Sequence, residues 1–279
     1  MIINLDQNFK PLNGDEILFE SFIFNGGEPH IRINPFDVNQ KVTVTHRINS
    51  FNDLGLFCIA CDALRRMGVK ELHGIIPYFP AARQDRVMVK GESLSVKVYA
   101  DIINNVGLDS ITIFDPHSDV TPALLNNCEV IQNHSFVSSF ISSLPKDFIL
   151  ISPDAGAAKK IHKLASQLGI ENILECGKKR DVKTGKLSGF HVPMNDLDGR
   201  ACLIVDDICD GGGTFLGLGE ELKKKNAGQL HLAISHGIFS KGFDSLSAIF
   251  SAIYTTDSFK SIEKDKGITQ IKLSEIIKN

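Results

Sequence analysis

One pattern limits the fold of this chain more than any other. A short run of Val, Ile and Leu ends in an acid, and a tight polar turn follows at once. It occurs at SITIFDPHSD (110–119), FILISPDAGA (148–157) and ACLIVDDICDGGG (201–213). Further apolar runs stand at LHGIIPYF (72–79), LHLAISHG (230–237) and AIFSAIYTTD (248–257). Between them lie segments with helical spacing, among them FCIACDALRRMG, LSVKVYADIINNVG, AGAAKKIHKLASQLG and TFLGLGEELKKKN. Apolar strands alternating with amphipathic helices predict an α/β fold with largely parallel sheets flanked by helices. In such sheets ligands bind past the C-terminal ends of the strands. The acids of this chain gather there: Asp115, Asp154, Asp206 and Asp207.

The two halves share an outline, ITIFDPHSD in one and LIVDDICDGGG in the other. They read as a duplicated α/β unit, 1–143 and 144–279, joined near SSLPKDF (142–148), with a last helix packing back on the first half. A chain of 279 residues buries a core without covalent staples. Its net charge of −3 argues against the basic surface of a nucleic-acid partner. No apolar run reaches the roughly 18 residues of a membrane span, and MIINLDQNFK lacks the layout of a signal peptide. The six cysteines are scattered, which fits a reducing, cytoplasmic setting. Cys58 and Cys61 have a metal-like spacing but no second pair, so they read as helix packing.

The segment VDDICDGGGTF (205–215) carries the most chemistry. An apolar strand, Cys202 to Val205, delivers Asp206 and Asp207 to the sheet edge. Asp210, Gly211, Gly212, Gly213 and Thr214 then turn into a helix. Glycines let backbone N–H groups face inward, and a helix start adds a positive dipole end, which together cradle phosphate. No Gly-Lys-Ser/Thr follows, so it is not a Walker loop. Acids beside a phosphate cradle fit a ligand bearing both sugar hydroxyls and a phosphate. The basic, glycine-bearing stretch GKKRDVKTGKLSG (177–189) is long for an αβ connection, a length that marks active-site lids.

This segment resembles the phosphoribosyl-diphosphate signature of type I phosphoribosyltransferases and ribose-phosphate diphosphokinases. Five more segments, in the diphosphokinase order, decide between the two. IPYFPAARQDR is similar to the ATP-binding segment, FDPHSD to the metal segment, and ISPDAGA to the Ser-Pro-Asp segment. GKKR resembles the Lys-Arg-Arg catalytic loop, and FNGGEPHIRI the adenine segment. The likeness spans roughly residues 20 to 260. It implies two phosphoribosyltransferase-type domains and transfer of the diphosphoryl group of ATP to the anomeric hydroxyl of ribose 5-phosphate. It further implies that Lys178 and Arg180 are catalytic, and that Asp206 and Asp207 hold the ribose while residues 210–214 hold the 5-phosphate. Phe24, Glu28, Arg83, Gln84 and His117 would bind ATP, and His117 and Asp154 would bind or position Mg2+. A homodimer or higher homo-oligomer is implied too, since Phe24 and Glu28 act across a subunit boundary in that family.

Three positions depart from the family pattern. Gly26 replaces an acid of the adenine segment. Pro116 replaces Leu beside His117, stiffening the backbone. Gly211 replaces Thr, removing a donor and leaving space. That space raises an alternative acceptor, a bulkier ribosyl group such as ADP-ribose. A phosphoribosyltransferase and a non-catalytic homologue are the remaining alternatives.

Overall fold

Runs of β-branched residues and leucine bury both faces of a strand, and parallel ladders are their usual home. The chain makes two such ladders. The structure, a computed structural model, describes residues 1–180, 187–263 and 267–277, with the backbone alone for 179, 180, 187 and 188. The chain divides into two compact units. The first holds residues 1–132, 258–261 and those from Lys272 on; the second holds residues 133–257 and 262–271. The division falls at 132/133, ahead of the 143/144 join read from the sequence.

In the first unit the elements are β1 (Ile2–Asn4), β2 (Phe19–Ile23), β3 (Pro29–Ile33), β4 (Val42–Thr45), α1 (Phe51–Met67), β5 (Leu72–Ile75), α2 (Ser95–Asn105), β6 (Ser110–Phe114), α3 (Val120–Leu124) and β7 (Cys128–Ile131). A parallel sheet runs β1-β4-β5-β6-β7, and β2 and β3 form a separate antiparallel hairpin. Helix α1 starts on Ser50, whose side chain accepts from Asp53 N–H, and Asp53 in turn accepts from Asn49 N–H at 3.0 Å. Such a cap is worth about 1 kcal/mol. It ends on Gly68 in the left-handed region (φ 104°). Cys61 is buried along this helix with Leu54, Phe57 and Leu64, and burial pushes its thiol up. The run 72–79 is a strand only to Ile75. Ile76 N–H still bonds Thr112, but Pro77 has no N–H to extend the ladder.

In the second unit the elements are α4 (His134–Ile141), β8 (Ile149–Ser152), α5 (Ala158–Leu168), β9 (Ile173–Glu175), β10 (Gly177–Arg180), β11 (Leu187–His191), β12 (Cys202–Cys209), α6 (Gly213–Lys224), β13 (Leu230–Gly237), α7 (Asp244–Ser247), β14 (Ala252–Thr256) and β15 (Ile268–Ile271). A short α8 (Leu273–Ile276) returns to the first unit. The second parallel sheet runs β15-β14-β13-β12-β8-β9. Helix α5 buries Ile161, Leu164 and Ala165, the i, i+3, i+4 stripe of a helix on a core. Truncating Leu164 to Ala would cost about 2–5 kcal/mol. Strands β12 and β13 occupy the middle of the sheet and are almost wholly buried.

Candidate active site

Strand β12 extends beyond Val205, where the sequence reading ended it, through to Cys209. Asp206 and Asp207 are therefore residues of the strand. Asp206 pairs with Ile234 of β13 in the ladder. The alternation of a strand would send the two carboxyls to opposite faces, yet Asp207 N–H still donates to Asp206 Oδ1 at 2.9 Å. Burial, then the Asp207 charge, then the more distant Asp154 charge hold the Asp206 carboxyl well above the usual range. Asp207 has the Lys160 ammonium of α5 at 3.6 Å. Such a pair presents carboxyl oxygens that accept bonds from vicinal hydroxyls.

The chain then turns through 210–212 into α6. Gly212 caps the helix with φ 75°, and no side chain caps it. The first N–H groups of α6 are thus left for a ligand. A Cβ on Gly212 would also crowd Leu246 Cδ2 at 3.3 Å. Asp210 accepts from Ser240 Oγ at 2.7 Å, and its carbonyl accepts from Ser240 N–H at 3.1 Å. Burial and the Asp206 and Asp210 charges push the Cys209 thiol up to about 12, far from a nucleophile's range.

The segment read as a loop at 177–189 begins and ends as strands. β10 and β11 pair antiparallel, with Lys178 opposite Phe190, while 181–186 lie outside the described residues. Phe190 is buried against Gly217 of α6, and it anchors the ribbon beside the phosphate turn. Across from it, Lys178 Nζ meets Asp154 Oδ2 at 2.6 Å. Asp154 Oδ1 accepts from Ala157 N–H at 3.1 Å. Burial opposes its ionisation, but the Lys178 ammonium and the Ala157 and Gly156 N–H groups hold its carboxyl below the usual range. Arg180 ends β10; its side chain lies outside the description. β8 and β12 are hydrogen-bonded neighbours, so the turns after them share one sheet end. Asp154, Lys178, Asp206, Asp207 and the glycine turn gather there.

In the first unit, Arg83, Gln84 and His117 line an open pocket of about 600 Å³ with Asp85, Arg86, Met88, Glu92 and Ser93. Both loops that build it contain a non-glycine residue in the left-handed region, Ala81 (φ 57°) and Asp115 (φ 37°). Such conformations cost about 1–3 kcal/mol each and cluster at binding sites. Burial opposes ionisation of Asp85, yet bonds from Arg86 and Ser118 and the charges of Arg86 and His117 keep its carboxyl low. Asp85 thereby ties the ARQDR loop to the DPHSD loop. Phe24 and Glu28 stand at the tip of the β2–β3 hairpin, where Phe24 N–H donates to the Glu28 carbonyl at 2.9 Å. Phe24 is 46% exposed and packs edge-on to Phe22 at 4.8 Å. A Cβ at Gly26 would collide with Glu28 Oε2; the missing side chain lets that carboxylate fold back.

Asp85, Lys160, Ser240 and Lys241 are among the residues of these sites that were not singled out from sequence. Asp85 sits inside a motif that was quoted. Lys160 lies in the first turn of α5, close after Asp154 in the chain, and that puts it at the sheet end. Ser240 and Lys241 follow β13, and only the pairing of β13 with β12 brings them near Asp210. Lys241 also occupies the space expected beside Gly211, since its Cε lies 3.5 Å from where a Cβ would stand. Among the described residues no group of three or more His, Cys, Asp and Glu forms a preassembled cation site, and no helix is long and apolar enough to cross a membrane.

An α/β architecture of two parallel sheets, one ending in a glycine turn behind paired acids, defines a phosphoribosyl-handling protein. Comparison with known proteins sharpens this. Residues 21–107 match the N-terminal domain of ribose phosphate pyrophosphokinase, and 124–260 match the phosphoribosyl transferase domain. A ribose-phosphate pyrophosphokinase of Mycoplasma pneumoniae is 31% identical over 78% of this chain and 67% of its own length. That of Mycoplasmopsis pulmonis is 29% identical over 85% and 74%. The crystal structure of phosphoribosylpyrophosphate synthetase from Mycobacterium smegmatis shares the fold, with a TM-score of 0.85 at 24% identity over 99% of this chain and 95% of that one. The chain belongs to the ribose-phosphate pyrophosphokinase family.

Proposed function

We propose that this chain transfers the diphosphoryl group of ATP to the anomeric hydroxyl of ribose 5-phosphate, giving phosphoribosyl diphosphate and AMP. Supporting this most directly is the gathering of the Lys178–Asp154 pair, the two strand acids and the glycine turn at one sheet end, in a chain whose relatives are ribose-phosphate pyrophosphokinases. The new bond joins the anomeric oxygen to the β-phosphorus. The bond to the oxygen bridging α and β phosphorus breaks, AMP leaves, and the hydroxyl proton is released. Asp206 and Asp207 hold the ribose hydroxyls. The N–H groups of Gly211 to Thr214 hold the 5-phosphate, with Asp210 fixing the turn through Ser240. Lys178 and Arg180 meet the charge that develops on the transferring group. Arg83, Gln84 and His117 bind ATP, with Phe24 and Glu28 contacting adenine from a neighbouring subunit of a cytoplasmic homo-oligomer.

Magnesium takes oxygen ligands and is usually held by one or two side chains plus substrate phosphates. The residues present fit that use. Burial first, and then the charges of Asp207 and Asp154, raise the Asp206 carboxyl, and a cation beside these oxygens would favour their ionised form. His117 in the first unit and Asp154 in the second would each bind or position Mg2+, which when bound screens phosphate charge from an incoming oxygen. Product analysis with magnesium-ATP and ribose 5-phosphate tests the assignment: AMP and phosphoribosyl diphosphate are expected, and ADP as the nucleotide product would refute it. A parallel arm with ADP-ribose checks the acceptor.

A further inference from the structure

Gly211 is unlike Gly212 in the phosphate turn. Its φ is outside the left-handed region, so the backbone does not require glycine there. The three atoms nearest to a Cβ built on it all belong to Lys241: Cε at 3.5 Å, Cδ at 3.6 Å and Cγ at 3.9 Å. These are ordinary contact distances, and the lysine stem lies along the face that a side chain at 211 would use. Its position is fixed from the preceding residue. Ser240 bonds Asp210 twice, side chain to side chain at 2.7 Å and N–H to carbonyl at 3.1 Å. Phe239 N–H bonds the Cys209 carbonyl at 3.0 Å, and Gly242 turns the chain away with φ 73°. The loop after β13 thus runs beside 209–211 in register, with Lys241 next to Gly211. The Lys241 side chain is exposed and makes no ion pair among the described residues. Its ammonium stands one bond beyond Cε, and the helix that follows Gly211 carries no side-chain cap.

We propose that Lys241 is a specificity-determining residue of the phosphate turn. Its ammonium contacts the 5-phosphate of the acceptor, from the side that Gly211 leaves bare. Positions 211 and 241 then form an exchangeable pair: a hydroxyl donor at 211 or a cation at 241, on the same side of the turn. A cation bonds a phosphate dianion more strongly than a neutral hydroxyl does, and it discriminates against an uncharged acceptor group. The inference rests on the reading of this turn as the ribosyl phosphate site.

Steady-state kinetics and direct binding of ribose 5-phosphate test it with Lys241→Ala, Lys241→Arg and the pair Gly211→Thr with Lys241→Ala. Loss of the ammonium is expected to raise KM for ribose 5-phosphate about 10-fold, equivalent to about 1.4 kcal/mol. The values of kcat and of KM for magnesium-ATP should stay within about twofold. Arginine should retain most of the affinity. Threonine at 211 should recover part of it in the alanine background. Added salt should weaken wild-type binding more steeply than that of Lys241→Ala. An unchanged KM for ribose 5-phosphate, or an equal rise for both substrates, would overturn the proposal. If the wild type forms no phosphoribosyl diphosphate, the proposed activity fails by itself. Calorimetric binding of ribose 5-phosphate to wild type and Lys241→Ala still decides the role of the lysine, and no binding to either protein overturns both readings.

Discussion

Asp206→Asn should make the protein more stable while weakening its hold on the acceptor. Asp206 lies half-buried in β12 beside Asp207, desolvated there and with Asp154 contributing further charge. These raise its carboxyl above the roughly 3.9 of an unfolded chain. Between those two values the folded state binds more protons than the unfolded state. The contribution of this group to stability is therefore full at low pH and declines as pH rises, by at most about 1.4 kcal/mol per pH unit. Asparagine has nearly the same shape, keeps an acceptor for the Asp207 N–H at 2.9 Å, and carries no charge. At neutral pH the relief should be on the order of 1–3 kcal/mol. At about 2–4 °C per kcal/mol, the melting temperature rises by roughly 2–12 °C. Asp154 acts with the opposite sign, since its lowered carboxyl stabilises above the ordinary carboxylate range and loses that effect as pH falls. Subtracting wild type from variant at each pH largely removes its contribution. Thermal melts from pH 5 to 8, with ribose 5-phosphate kinetics at pH 8, make the measurement. The gap between variant and wild type should widen with pH, and KM for ribose 5-phosphate should rise about 10-fold, the worth of a charge-assisted bond. A variant that melts below wild type at neutral pH, or a gap that does not change with pH, refutes the electrostatic account of this strand.

Two other substitutions probe neighbouring parts. Lys178→Ala removes the cation 2.6 Å from Asp154; kcat should fall about 10²–10³-fold with the circular dichroism spectrum unchanged, and a loss under tenfold in single-turnover AMP release would count against its catalytic role. Gly212→Ala forces a side chain into the left-handed region against Leu246 and should cost about 1–2 kcal/mol. Thermal melts and KM for ribose 5-phosphate check it. Trimming Leu246 as well should not restore the loss, because the backbone strain remains.

Much of this was legible in the sequence for local reasons. The strands at 149–152 and 230–237 and the helix starting at Gly213 follow from runs of β-branched residues, helical spacing and a glycine turn. Errors arose where neighbours decide. β12 continues past Val205 because β13 lies alongside and pairs with it as far as Cys209, so two acids are carried inside a strand that a propensity reading ends at the first. β10 and β11 read as a loop because basic and glycine residues dominate them, whereas the cross-strand partner of Lys178 and the burial of Phe190 hold them as strands. Lys160 and Lys241 were invisible as site residues. Each reaches the site only after a strand far away in sequence has been set beside its own.

That last point gives the β8–β12 pairing a kinetic meaning. Ile149 and Cys202 are ladder partners, yet α5, β9, β10 and β11 lie between them in the chain. Local helices form before such a long closure is made. The Lys178–Asp154 and Lys160–Asp207 pairs converge on the same sheet end only once it is made. During refolding, helical signal should return first and turnover later, so recovered activity is a stopwatch for the closing of one parallel ladder.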